Sequence, residues 1–90
     1  MKKTSRELER IIKGFANHRR LQVLELLYKE PELSVHEISE KLKSDFKNIS
    51  AHINKMAIAG LVMKRNEGSI VRHKLTNRGK SILQFVRIIE

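Results

Sequence analysis

The sequence predicts one small, mainly helical α+β domain with a single β-hairpin, in the order α-α-α-α-β-β-α. Three observations carry this. Apolar residues recur at helical spacing in five separated stretches. One run of extended, β-branched residues around Gly68 interrupts them. The 90 residues, 40% hydrophobic and 32% charged with four Gly and one Pro, suffice for one core and leave little chain for a second, so residues 1–90 are expected to form one unit.

The first helix is expected over residues 4–16, where Leu8, Ile11, Ile12 and Phe15 follow the i, i+3, i+4, i+7 spacing of one buried face and Thr4 or Ser5 can act as N-cap. Asn17 can cap a second helix on which Leu21, Leu24, Leu27 and Tyr28 share one face. Pro31 disfavours helical geometry at Glu30 and stops it there. Ser34 and Glu37 form a capping box, each side chain satisfying the other's free backbone N–H, and Leu33 and Ile38 have the spacing of a hydrophobic staple. The short third helix that starts here buries Val35, Ile38 and Leu42. Ser44 or Asp45 caps a fourth helix, over residues 45–59, whose stripe is Phe46, Ile49, Ile53 and Met56, and Gly60 ends it.

Beyond Gly60 the pattern turns extended. Leu61–Arg65 and Ile70–Leu75 flank Asn66-Glu67-Gly68-Ser69, a hairpin in which Gly68 can take positive φ at the tip. Thr76 then caps a last helix, in which Ile82, Leu83, Phe85, Val86, Ile88 and Ile89 make an apolar band wider than one buried face needs. The first helix (4–16) and the last (76–89) are therefore expected to contribute to a homodimer.

Two short helices joined by two or three residues, each with one apolar stripe, make a helix-turn-helix, and the hairpin after it makes a wing. At about 100° per residue, Lys47, Asn48, Ala51, Asn54 and Lys55 lie opposite the apolar stripe of the fourth helix. Their chemistry suits base edges: Asn pairs with adenine, Lys donates to guanine or phosphate, and Ala meets a thymine methyl. Charge points the same way. The net charge is +9, and residues 46–90 hold nine Lys and Arg against two Asp and Glu, while residues 1–45 hold ten against eight. The wing carries Lys64, Arg65, Arg72 and Lys74, placed to release counterions from phosphate. The expected partner is double-stranded DNA, with helix 45–59 in the major groove and wing 64–74 on the backbone or minor groove.

The stretch Phe15–Leu75 resembles the winged-helix regulators of the arsenical-repressor (ArsR) type. The matching marks are Ala16-Asn17-His18-Arg19-Arg20-Leu21, Leu33-Ser34-Val35-His36-Glu37-Ile38, Asn48-Ile49-Ser50-Ala51-His52-Ile53 and Ala59-Gly60-Leu61-Val62. The segment Leu75-Thr76-Asn77-Arg78-Gly79 looks more like the ending of the multiple-antibiotic-resistance (MarR) type. The resemblance implies a sequence-specific transcriptional regulator and DNA contact for Lys47, Asn48, Ser50, Ala51 and Asn54. Metal-sensing members carry cysteines where this chain has Ser34 and His36, and it has no Cys at all, so no metal or cofactor is expected. Phe46 stands where a polar residue is usual and Ser44 where the turn leucine is usual, and Phe46 is expected to fill that leucine's place in the core.

No Gly-rich phosphate loop, nucleophile elbow or paired-His motif occurs, so no enzyme is expected. The alternative is a winged-helix module that binds protein or RNA without reading DNA sequence. Residues 1–10 are charged and lack the apolar core of a signal peptide, and the apolar runs elsewhere are too short to span a bilayer. A soluble, cytoplasmic protein without a membrane partner is expected.

Overall fold

The computed structural model describes residues 2–90; Met1, the first residue of the expected 1–90 unit, lies outside them. Among the described residues the elements follow in the expected order: α1 (Ser5–Lys13), α2 (His18–Lys29), α3 (Val35–Leu42), α4 (Phe46–Ile58), β1 (Val62–Glu67), β2 (Ile70–Leu75) and α5 (Asn77–Ile89). No helix among them is long and apolar enough to cross a membrane.

Local hydrogen bonding sets where most helices begin. Thr4 Oγ1 accepts from the Glu7 N–H at 3.1 Å while Glu7 Oε1 accepts from the Thr4 N–H at 3.0 Å, and Ser34 and Glu37 repeat this box at 3.1 and 2.9 Å. Asn17, Asp45 and Thr76 cap the other three helices through their side-chain oxygens. Each cap satisfies N–H groups that have no partner within the first turn.

α1 is shorter than the expected 4–16, ending at Gly14, where the backbone lies so close to Ala59 that no side chain would fit. Phe15 reaches the core from the connecting turn, α1 itself buries no residue, and Ile12 of the expected stripe is exposed. On α2 the buried set is Val23, Leu24 and Leu27. This rotates the core face away from Tyr28, which is half exposed under the Arg87 guanidinium, 4.8 Å from its ring centre.

The core gathers Val23, Leu24 and Leu27 of α2, Ile38 of α3, Ile49, Ile53 and Met56 of α4, Leu61, and Leu83 of α5. Fully burying a side chain of this size contributes about 1.5–3 kcal/mol, so this cluster determines how α4 sits. Phe46 is not part of it. The expectation that Phe46 replaces the turn leucine in the core fails: its ring is 54% exposed. As the first residue of α4 it lines an open cavity with Val35 of α3 instead of joining the cluster around Ile49 and Ile53.

β1 and β2 pair antiparallel from Val62↔Leu75 to Glu67↔Ile70. The expected four-residue tip therefore shrinks to Gly68-Ser69, with Gly68 at φ 62°. Leu33 bridges to the outer edge of β2: the His73 N–H donates to the Leu33 carbonyl at 3.0 Å, and the Glu32 N–H donates to the His73 carbonyl at 2.8 Å. The His73 ring is buried, and its Nδ1–H donates to the same Leu33 carbonyl at 2.9 Å. Burial pushes its pKa below the ordinary value. At the base of the hairpin, Thr76 Oγ1 donates to the Gly60 carbonyl and Gly79 packs against Leu61, fixing α5 beside the end of α4.

Candidate nucleic-acid interface

α4 has two faces of opposite character. Ile49, Ile53 and Met56 are inaccessible to solvent, while Lys47, Asn48, Ala51, Asn54 and Lys55 are all exposed; Ser50, at the margin, is half-buried. Asp45 holds the N-terminal end, its two carboxylate oxygens accepting from the Lys47 and Asn48 N–H groups at 3.1 and 3.2 Å. These two residues thus stand on a capped first turn, which has little freedom to fray.

Two connections that residue spacing does not reveal hold α4 from behind. Arg20 of α2 donates from Nε to His52 Nδ1 at 3.0 Å and from a terminal nitrogen to the Lys13 carbonyl at 2.7 Å. Accepting at Nδ1 requires the neutral imidazole, and burial together with the Arg20 charge pushes the His52 pKa down in the same sense. At the other end, the Arg78 guanidinium donates to the Ala59 carbonyl at 2.9 Å. Arginine and histidine at such separations give no periodic signal, so only the packed structure joins them.

The hairpin register divides the four basic residues of the wing. Successive side chains alternate between faces, so Lys64, opposite His73, lies on one face, while Arg65, Arg72 and Lys74 lie on the other. Lys64 Nζ donates to Asn54 Oδ1, joining wing and α4 directly. Arg65 is shared between Glu32 at 3.1 Å and Glu67 at 3.0 Å. Arg72 reaches Glu37 at 3.4 Å, Glu67 at 3.5 Å and the Glu32 carbonyl at 3.2 Å. Three carboxylates surround two guanidinium groups, so the wing presents less free positive charge than its composition suggests. Lys74 remains exposed without an ion pair among the described residues.

The surface is otherwise chemically plain. His36 pairs with Glu40 at 2.9 Å, and no group of three or more metal-ligating side chains is found among the described residues. The arrangement offers hydrogen-bond donors and cations on a convex helix face, with a basic hairpin beside it.

Comparison with known proteins gives the same picture. Residues 16–76 match the model of the HVO_A0114 family. The transcriptional activator HlyU of Vibrio cholerae is 36% identical over 77 residues, covering 86% of this chain and 70% of that protein. Its structure superposes with a TM-score of 0.82 at 32% identity, over 99% of this chain and 97% of the other. MJ1325 of Methanocaldococcus jannaschii, an HTH-type transcriptional regulator, is also 36% identical over 77 residues, covering 84% of this chain and 86% of that protein. The homodimeric winged helix-turn-helix DNA-binding domain of Mb0332 from Mycobacterium bovis, described as a possible ArsR-family regulator, superposes with a TM-score of 0.83 at 27% identity, over 92% and 77% of the two chains.

Proposed function

The chain belongs to the HVO_A0114 family and is a winged-helix transcriptional regulator similar to HlyU, and from that premise we propose that it binds double-stranded DNA by sequence, as a cytoplasmic homodimer. One observation carries the proposal: the face of α4 bearing Lys47, Asn48, Ala51, Asn54 and Lys55 is open to solvent while its opposite edge is locked in the core. α4 enters the major groove, with Asn48 and Asn54 as base readers, Ala51 and Ser50 against the groove wall, and Lys47 and Lys55 on phosphate or guanine. Lys64 reaches the groove edge beside Asn54, and Lys74 contacts backbone phosphate. Arg65 and Arg72 join by exchanging carboxylate partners for phosphate, since exposed ion pairs are worth only about 0–1 kcal/mol.

The dimer uses the apolar surface that one protomer leaves uncovered. Ile12 of α1 and Phe85, Ile88 and Ile89 of α5 are exposed, and Ile88 is 76% accessible. A two-fold pairing through these helices covers that surface and sets two α4 helices about one helical turn of DNA apart. The function proceeds by binding alone, without catalysis, cofactor or metal.

Selection from a random duplex library followed by gel-shift titration at several salt concentrations tests this. The expected outcome is a palindromic site whose half-sites lie about 10–10.5 base pairs apart, with affinity falling steeply as salt rises. Absent binding, or binding indifferent to salt and sequence, rejects it in favour of a protein- or RNA-binding module.

A further inference from the structure

Phe46 opens α4 directly before Lys47 and Asn48, yet it joins neither the core nor the polar face. Its exposed ring lines an open cavity of about 530 Å³ together with Val35 of α3 and Ile70, Val71 and Arg72 of β2. Ile70 and Val71 are themselves exposed, so an apolar surface runs from the start of α4 to the tip of the wing. In a helix-turn-helix the first residues of the second helix approach base edges, and an apolar ring has one good partner there. That partner is the C5-methyl group of thymine, the only methyl that unmodified DNA presents in the major groove. A protein partner is the weaker fit, because the ring adjoins Lys47 and Asn48, groups suited to a polyanion, while Arg72 and Glu37, which line the other side of the cavity, are paired with each other at 3.4 Å.

We propose that Phe46 is a specificity-determining residue that packs on a thymine methyl at the edge of the major groove and selects thymine over cytosine at one position of each half-site. The inference rests on the DNA-binding function above. It also accounts for a large aromatic side chain left in water at the start of α4, one position on the apolar stripe whose other members, Ile49, Ile53 and Met56, are buried. Ile70 and Val71 line the same cavity from the wing, so the contact requires wing and α4 to keep their relative placement.

The test uses the selected site with each thymine replaced singly by deoxyuridine, which removes one methyl and keeps every hydrogen-bonding group. Dissociation constants are measured for the wild type, Phe46→Ala and Phe46→Leu, with circular dichroism to confirm that each variant is folded. The wild type should lose about fourfold in affinity at one thymine per half-site, the size expected for one methyl contact. Phe46→Ala should bind the thymine and deoxyuridine sites equally, at the weaker level. Phe46→Leu should retain part of the discrimination, and it carries the comparison should Phe46→Ala unfold. All folded variants should keep the wild-type salt dependence. A wild type that ignores every thymine methyl, or a sensitivity that survives in the folded Phe46 variants unchanged, overturns the assignment to Phe46 alone. A wild type that binds no duplex with preference overturns the DNA-binding function, and this inference with it.

Discussion

On α4, Lys47 and Lys55 stand exposed with no ion-pair partner among the described residues, whereas on the hairpin Arg65 and Arg72 are each drawn onto two carboxylates. Both regions read as basic, but their charge is available to a ligand in different degrees. In the proposed complex, phosphate would meet the lysines of α4 at the cost of displacing counterions only. It would meet the wing arginines in competition with Glu32, Glu37 and Glu67. The electrostatic part of DNA affinity should therefore come more from α4, Lys64 and Lys74 than a count of basic residues implies.

The most damaging way to break this comparison is to remove the platform under α4. Ile53 is inaccessible to solvent, so Ile53→Ala should lower the free energy of unfolding by about 2–5 kcal/mol in urea titration. Val71→Ala, on the exposed part of the hairpin, should stay within about 0.5 kcal/mol of the wild type. Equal losses at the two positions would show that the wing is as firmly built into the core as α4.

Asn54 joins the two regions, because its Oδ1 accepts from Lys64. Asn54→Ala should reduce discrimination at one base pair by about 1–3 kcal/mol, measured by competition between the selected duplex and single-base variants. An unchanged preference would mean that α4 is wrongly placed in the groove.

Salt dependence sharpens the contrast further. Lys47→Ala should lower the slope of log affinity against log salt by about one, the signature of one phosphate contact. Arg72→Ala should weaken all sequences alike but lower the slope by less, since carboxylates already occupy part of its donor set. Glu67→Gln, which releases both arginines from one partner, should steepen it. Identical slopes for the two cation variants would show that the wing arginines let go of their carboxylates at no cost.

The smallest effect expected is on pH. Burial holds the His73 pKa below its ordinary value of 6.5, and burial with Arg20 does the same for His52. The unfolded chain therefore takes up protons first. Stability is fully present above about pH 6.5 and declines as the pH falls towards the depressed folded values. Urea midpoints between pH 8 and 5 should fall with acidification, and His73→Gln, although less stable overall, should show a flatter profile. A midpoint that rises on acidification contradicts the neutral, Leu33-bonded imidazole.

Much of this architecture is legible in single residues. Thr4, Asn17, Ser34, Asp45 and Thr76 announce helix starts because a cap is a contact between a side chain and a backbone N–H two or three positions on. Ile49, Ile53 and Met56 announce the buried edge of α4, and the surplus of apolar residues on α5 is real. The misreadings share a cause. Tyr28, Phe46 and Ile12 obey helical spacing, but periodicity states only which side of a helix is apolar, not how far the neighbouring layer extends over it. The shorter hairpin tip follows from pairing that continues through Glu67↔Ile70, which turn-forming composition conceals.

The amino-acid order by itself determined the element sequence, the caps and the polar outer face of α4, since these depend on neighbours within about one helical turn. Which charges are free, which aromatic rings stay in water, and how wing and α4 are joined were decided only by tertiary structure. Arg65 meets Glu32 across 33 positions and Arg72 meets Glu37 across 35, and such distances close only when α2, α3 and β2 pack on one core.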